Sequence, residues 1–88
     1  MQKLVVLGGG ESGVGAAILG RVKGFEVLVS DSAPLKDKYR DELRRESIDF
    51  EEGGHTEARV MAADLVVKSP GIPETAPLVT ALRAKGVP

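Results

Sequence analysis

The 88-residue sequence contains no cysteine and no tryptophan, and only 3% of its residues are aromatic. Without cysteine, neither a disulfide framework nor a thiolate metal site can form. The shortage of aromatic side chains argues against a surface on which nucleic-acid bases stack. The chain is instead rich in glycine, valine and alanine, a composition that suits the packing of helices on a parallel sheet.

Long apolar runs and a strong charge of either sign are also absent. No apolar run is long enough to span a bilayer, and the start of the chain lacks the apolar core of a signal peptide. The formal net charge is −1, so no global basic field attracts nucleic acid. We therefore expect a cytoplasmic protein that binds neither membrane nor nucleic acid. Any anion site must be built locally, from backbone dipoles and a few side chains.

The most informative stretch joins a strand-like run to a helix-like run through a glycine-rich loop. Leu4–Leu7 is apolar throughout, Val14–Leu19 has helical spacing, and Gly8, Gly10 and Gly13 between them fit the pattern G-x-G-x-x-G. In this pattern the first glycine permits a tight turn, the second lets a pyrophosphate approach the backbone, and the third lets the helix pack on the strand. The helix N-terminus then offers free N–H groups to an anion. The loop therefore predicts phosphate binding, although glycines can also merely shape a turn.

The rest of the chain alternates between strand-like and helix-like segments, and its length provides for one domain. Strands are predicted at Lys3–Leu7, Phe25–Ser30, Ile48–Glu51 and Asp64–Lys68, and helices at Ser12–Lys23, Asp37–Glu46, Thr56–Met61 and from Thr75 or Ala76 to Gly86. Ser12 is the predicted N-cap of the first helix, and Val87-Pro88 is predicted to begin a fifth strand. The alternation predicts an α/β fold of three αβα layers, with a doubly wound parallel sheet of four to five strands in the order 3-2-1-4(-5).

The predicted strand order places a ligand site between strands one and four. Ligands bind at the carboxyl ends of the strands where the order reverses. There the glycine loop faces the turn Ser69-Pro70-Gly71, and Asp31 lies further along the same rim. The three loops outline a nucleotide, with phosphates between the first two loops and the sugar and base toward Asp31.

Individual roles follow from this outline. The backbone N–H groups of Glu11, Ser12 and Gly13, with the Ser12 hydroxyl, are candidate diphosphate donors. The Glu11 carboxylate would repel a diphosphate, so we expect it to point to solvent. Ser69 and Gly71 are candidate donors from the opposite loop. No catalytic residue and no metal site are predicted.

Three other residues carry weaker signals. Asp31 can accept hydrogen bonds from a ribose or a base, since an acid is expected at about this distance from the glycine loop. It can also be a simple turn aspartate, and as an exposed acid it is expected to add little stability. Lys68 can screen phosphate charge. His55 has no metal-ligand or nucleophile partner in the sequence, so no role is expected for it.

Taken together, four segments resemble the N-terminal domain of the Mur ligases, and they span essentially the whole chain. They are Leu7–Gly13, Val29–Asp31, Glu52–His55 and Ala63–Pro73. The glycine loop alone is shared with dehydrogenases, whereas the turn Ser69–Pro73, Ser-Pro-Gly-Ile-Pro, is much more specific. Within the family, the branch that adds D-glutamate is the best match.

The resemblance implies an incomplete Rossmann-like unit that holds the UDP part of UDP-N-acetylmuramoyl-L-alanine. It implies diphosphate contacts from the glycine loop and the Ser-Pro-Gly turn, and contacts to the uracil–ribose end from the acid after strand two and its neighbour. The matching positions are Gly10, Glu11, Ser12, Gly13, Ser69 and Gly71 for the diphosphate, and Asp31 and Ser32 for the other end. Some members carry a basic residue next, where this chain has Ala33, so a side-chain contact to uracil is not expected there.

The resemblance also implies an ATP- and Mg²⁺-dependent ligase of bacterial peptidoglycan synthesis, and hence a part in cell-wall biogenesis, cell shape and division. The sequence has no G-x-x-x-x-G-K-[ST] loop. We therefore expect residues 1–88 to be the single UDP-binding domain of a longer ligase, acting with central ATP-binding and C-terminal domains. By itself it needs no cofactor and catalyses nothing. The alternatives are an NAD-binding Rossmann domain of an oxidoreductase or regulatory protein, and a structural module that binds no nucleotide.

Overall fold

A computed structural model describes residues Met1–Pro88 and shows four strands alternating with four helices. The elements are β1 (Lys3–Leu7), α1 (Glu11–Val22), β2 (Glu26–Ser30), α2 (Asp37–Arg45), β3 (Asp49–Glu51), α3 (Glu57–Met61), β4 (Leu65–Lys68) and α4 (Pro77–Lys85). All strand pairs are parallel and their order is β3-β2-β1-β4. The predicted fold class and strand order are confirmed.

The central strand β1 is apolar because helices cover both faces of the sheet. Leu4 and Val6 belong to a cluster of buried side chains on the face of α1 and α2, whereas Val5 and Leu7 belong to a second cluster on the face of α3 and α4. Adjacent strand residues point to opposite faces. Every position of β1 after Lys3 is therefore buried, as expected for a parallel sheet packed on both sides.

The first helix begins one residue earlier than predicted, and the predicted N-cap is wrong. Gly10 is the N-cap, with extended backbone, and no side chain caps the helix. Ser12 instead lies in the first turn and is exposed. The glycine loop completes its turn at Gly10, so the helix starts at the next residue, Glu11.

The end of the chain lies beside β4. The backbone N–H of Val66 donates to the carbonyl of Pro88 at 2.9 Å, on the edge of β4 that does not pair with β1. Two residues do not make a strand, but they occupy the position predicted for the start of a fifth one. None of the helices is long and apolar enough to cross a membrane.

Candidate functional site

The glycine loop after β1 is built from backbone conformations that require glycine. Gly8 has a φ of +105°, and its N–H donates to the Ser30 carbonyl at 2.9 Å. A Cβ on Gly13 would lie 1.8 Å from the Gly8 carbonyl oxygen, whereas a Cβ on Gly10 would meet nothing within 4 Å. The turn role of the first glycine and the packing role of the third are therefore confirmed. The space beside the second glycine is open.

The start of α1 presents three backbone donors that no group in the chain accepts. The first hydrogen bond of the helix runs from Val14 N–H to the Gly10 carbonyl at 2.9 Å. The N–H groups of Glu11, Ser12 and Gly13 have no partner. These donors and the positive end of the helix dipole favour an anion at this point.

The turn after β4 is held against β1 from the other side. Ser69 N–H donates to the Leu7 carbonyl at 2.8 Å, and a Cβ on Gly8 would lie 2.8 Å from the Ser69 Cβ. The Gly71 N–H points to the Ser69 hydroxyl oxygen at 3.4 Å, a long and weak contact. The two loops thus meet across the end of the sheet, as the strand order predicts.

A cavity of about 220 Å³ lies between these two loops. It is lined by Val6, Ser12, Gly13, Val67, Lys68, Ser69 and Pro70. Three of the predicted diphosphate residues, Ser12, Gly13 and Ser69, therefore border one space. Gly10, Glu11 and Gly71 lie beside it without lining it.

The Glu11 side chain points away from this cavity, as predicted. It is exposed and lines a different depression between α1 and α2, with Lys38 and Glu42. The only cation that lines the cavity, Lys68, is partly neutralised. Its ammonium donates to the Ile72 carbonyl at 3.0 Å and lies 3.7 Å from a carboxylate oxygen of Glu74.

Asp31, predicted to be an exposed loop acid, is engaged by the backbone. One carboxylate oxygen accepts from Gly9 N–H at 2.8 Å, and the other accepts from Ala33 N–H at 3.0 Å. The side chain is half-buried. The description of Asp31 as an exposed loop acid is therefore wrong, because its side chain links the glycine loop to the loop after β2, and we now expect it to add stability. Each oxygen keeps a second lone pair for a ligand.

The loop that carries Asp31 and Ser32 is supported by the segment after β3. Gly53 N–H donates to the Ala33 carbonyl at 3.4 Å, and Gly54 N–H donates to the Asp31 carbonyl at 3.2 Å. The φ angles of these glycines are +75° and +153°, values that disfavour any side chain. Ser32 itself is exposed, beyond the cavity between the other two loops.

No role is expected for His55 from the sequence, but the structure gives its ring a hydrogen-bond partner. Its Nδ1 lies 2.6 Å from the hydroxyl oxygen of Ser30. Ser30 is the one fully buried polar side chain, and its hydroxyl also donates to Glu51 at 2.6 Å. Nothing in the sequence marks this cluster, because Ser30 lies 21 and 25 residues from its two partners.

Fold and site together define the class: a Rossmann-like αβα domain whose glycine loop and opposing turn frame one cavity beside the unpaired N–H groups at the start of α1. A sequence model of the MurD N-terminal domain matches residues 3–77. The chain belongs to this family, the N-terminal domains of the Mur ligases.

Relatives and solved structures agree with this assignment. The UDP-N-acetylmuramoylalanine–D-glutamate ligase of Bacteroides thetaiotaomicron is 56% identical over 88 residues, which is all of this chain and 20% of that protein. The enzyme of the same name from Christiangramia forsetii is 48% identical over 86 residues, or 98% of this chain and 19% of that protein. The chain thus spans about one fifth of the length of these relatives.

Two solved ligases share the fold. A pseudomurein peptide ligase type C from Methanothermus fervidus superposes with a TM-score of 0.84 at 26% identity, covering 98% of this chain and 18% of that one. A UDP-N-acetylmuramate:L-alanyl-gamma-D-glutamyl-meso-diaminopimelate ligase from Neisseria meningitides gives a TM-score of 0.81 at 26% identity, covering 100% of this chain and 28% of that one.

Proposed function

We propose that this chain binds the UDP part of UDP-N-acetylmuramoyl-L-alanine for a longer, ATP-dependent ligase that adds D-glutamate to it. The reaction belongs to peptidoglycan synthesis in the bacterial cytoplasm, and so to cell shape and division. The observation that carries the proposal is the set of three unpaired N–H groups at the start of α1, two of which belong to residues that line the cavity between the loops, Ser12 and Gly13. The names of the relatives suggest the substrate.

The diphosphate would lie between the glycine loop and the Ser-Pro-Gly turn. Ser12 and Gly13 would donate from one side and Ser69 from the other, with Gly10, Glu11 and Gly71 contributing backbone at the rim. Backbone N–H groups suit this task because they are fixed in place before the ligand arrives, so that little ordering entropy opposes binding. The nearly neutral surroundings of Lys68 leave the backbone as the main source of attraction.

The uracil and ribose would lie toward Asp31 and Ser32. The Asp31 carboxylate is oriented by Gly9 and Ala33 N–H groups, with lone pairs left for ribose hydroxyls or the uracil N–H. Ala33 carries no side-chain donor, so recognition at that position would use backbone only. The nucleotide would therefore cross the carboxyl ends of β4, β1 and β2.

ATP and Mg²⁺ would be held by other parts of the ligase. The chain has no cluster of three or more His, Asp or Glu side chains that could hold a metal ion, and no sequence of the P-loop type. Its residues therefore do not fit an ATP–Mg²⁺ site. We propose that this domain contributes substrate binding and that the chemistry takes place elsewhere.

An NAD-binding domain is the second candidate. The fold alone is shared with a transhydrogenase from Sinorhizobium meliloti, at a TM-score of 0.64 and 19% identity over 82% of this chain and 21% of that one. Asp31 stands where a ribose-binding acid is expected. That function leaves the close packing of Ser69 on the glycine loop without a purpose, so we favour UDP.

Titration with UDP, UMP and NADH tests the choice. We expect a Kd for UDP on the order of 0.1–1 mM, because a small ligand on a single domain is poorly enclosed, and weaker binding of UMP and NADH. NMR shifts should appear at Gly10–Gly13 and Ser69. Ser12→Ala should weaken UDP binding, while the matched substitution Thr80→Ala on α4 should leave UDP binding unchanged. Equal affinity for UMP and UDP would contradict the diphosphate site, and tighter binding of NADH would favour the alternative.

A second measurement concerns catalysis. The chain should release no phosphate from ATP, with or without Mg²⁺ and UDP-N-acetylmuramoyl-L-alanine, because it lacks an ATP site. Turnover that disappears on substitution of Ser12 or Ser69 would contradict this expectation.

A further inference from the structure

A chain of three side chains lies at the carboxyl ends of β2 and β3, outside the cavity described above. Ser30, the last residue of β2, has no exposed surface. Its hydroxyl oxygen lies 2.6 Å from an oxygen of Glu51 and 2.6 Å from Nδ1 of His55. The same Glu51 oxygen accepts the backbone N–H of Thr56 at 2.7 Å.

The proton of Ser30 can serve only one of these two short contacts. Burial raises the pKa of Glu51, but hydrogen bonds from Ser30 and Thr56 and the charge of Arg59 outweigh it and hold that pKa below its ordinary value. Glu51 is therefore a carboxylate, which can only accept, so Ser30 donates to it. The remaining contact then requires a donor on the other side, and His55 must carry a proton on Nδ1.

The backbone around Ser30 connects this chain to the predicted ligand loops. The Ser30 carbonyl accepts the N–H of Gly8 at 2.9 Å. The next residue, Asp31, receives the N–H of Gly9 on its side chain and the N–H of Gly54 on its carbonyl. The end of β2 is thus fixed between His55 and Glu51 on one side and the glycine loop on the other.

We propose that His55 is a positioning residue, with its proton on Nδ1, that sets Asp31 and the glycine loop for the nucleotide through the chain His55–Ser30–Glu51. The predicted effect of His55 on nucleotide affinity rests on the proposed function, whereas the position of the proton on its ring does not. The assignment gives a purpose to the segment Glu52–His55, whose two glycines let it fold back onto the Asp31 loop.

The donor role of His55 does not depend on its charge. The ionisable groups around it are Glu51 on β3 and Glu57 and Arg59 on α3, while the facing part of α4 offers only Pro77, Leu78 and Ala81. Neutral His55 with Nδ1–H and the imidazolium ion both donate to Ser30, so the chain of hydrogen bonds is the same with either form.

The proton position can be read directly from ¹⁵N-labelled protein. Long-range ¹H–¹⁵N spectra at a pH where the imidazole is neutral should show Nδ1 protonated and Nε2 bare. Free histidine prefers the opposite form, so this result would not arise by default. A proton on Nε2 would overturn the proposal, whatever the outcome for UDP.

Three variants test the positioning role. His55→Leu should shift the amide signals of Gly9 and Asp31. It should also lower UDP affinity by about three- to tenfold, the range for one lost hydrogen bond. His55→Asn places an amide donor near the Nδ1 position and should restore most of the affinity, whereas His55→Gln, which resembles Nε2, should not. Glu57→Gln, a change at the start of α3 beside His55, is the matched control and should alter neither the signals nor the affinity.

The outcomes separate the two proposals. If wild-type protein does not bind UDP, the proposed function fails. The proton position and the Gly9 and Asp31 amide signals then still decide whether His55 positions these loops. If His55→Leu binds UDP normally and leaves those signals unmoved, the positioning role is wrong. If His55→Leu does not fold, the positioning role is decided by the wild-type spectrum and by the difference in UDP affinity between His55→Asn and His55→Gln.

Discussion

The two halves of the candidate site are built in opposite ways. Around the cavity, the start of α1 leaves backbone N–H groups unpaired, and few side chains take part. Around Asp31, nearly every polar group is already paired, through Gly9, Ala33, Gly54 and the chain from His55 to Glu51. The first half offers free donors to an anion, whereas the second half is a rigid support with a few spare lone pairs. Unpaired donors for a ligand and a dense network of hydrogen bonds thus lie in different loops of the same site.

The largest expected effect comes from the close contact in the glycine loop. Gly13→Ala puts a Cβ where it would lie 1.8 Å from the Gly8 carbonyl oxygen. Because the obstacle is backbone, the helix or the loop must move, at a cost of about 3 kcal/mol. We expect the Tm to fall by roughly 12–24 °C, measured by thermal denaturation.

Gly15→Ala is the matched control for this change. Gly15 lies in the same helix, and a Cβ there would meet nothing within 4 Å. It should raise stability by about 0.5–1 kcal/mol, since alanine favours a helix over glycine. Equal effects of the two substitutions would mean that the loop is not held as closely as described.

The fold, the geometry of the glycine loop and the place of Asp31 on the rim could be predicted from the sequence, whereas the hydrogen bonds that support Asp31 could not. Gly8 and Gly13 are needed by local backbone geometry, so their spacing reveals them. The central strand is apolar because both of its faces are covered, so its pattern reveals the parallel sheet. By contrast, the bond from Gly9 to Asp31 spans 22 residues, and the partners of Ser30 are similarly distant. Such contacts depend on strand register, which the sequence of one chain does not display.

Substitution of Asp31 tests whether the supporting half also touches the ligand. Asp31→Ala removes the acceptor for the Gly9 and Ala33 N–H groups, so we expect a loss of about 1–2 kcal/mol in stability. UDP affinity should fall about tenfold. Pyrophosphate affinity should fall less, because the donors at α1 remain. Calorimetry with both ligands and thermal denaturation measure the three effects.

Two controls sharpen this result. Asp41→Ala removes an exposed acid of α2 that makes no hydrogen bond or ion pair to another side chain. It should leave both affinities unchanged and should not lower stability, since alanine favours a helix over aspartate. Asp31→Asn keeps one acceptor oxygen and should give intermediate values. Unchanged UDP binding in Asp31→Ala would make Asp31 purely structural, whereas unchanged pyrophosphate binding would mean that it does not hold the glycine loop.

The smallest expected effect is the pH dependence contributed by Glu51. Its pKa is lowered in the folded protein: burial opposes this, but Ser30, Thr56 and Arg59 prevail. A carboxyl group with a lowered folded pKa adds stability that is present above its unfolded pKa and is lost as pH falls through the folded one. Thermal denaturation from about pH 6 to about pH 3 should therefore show a steeper decline for wild type than for Glu51→Gln. Glu74, whose pKa is lowered by Arg83, is the exposed counterpart, and Glu74→Gln should flatten the curve less because solvent screens that pair. If Glu74→Gln flattened the curve more than Glu51→Gln, the polar cluster behind Asp31 would not be the stiff part of the site.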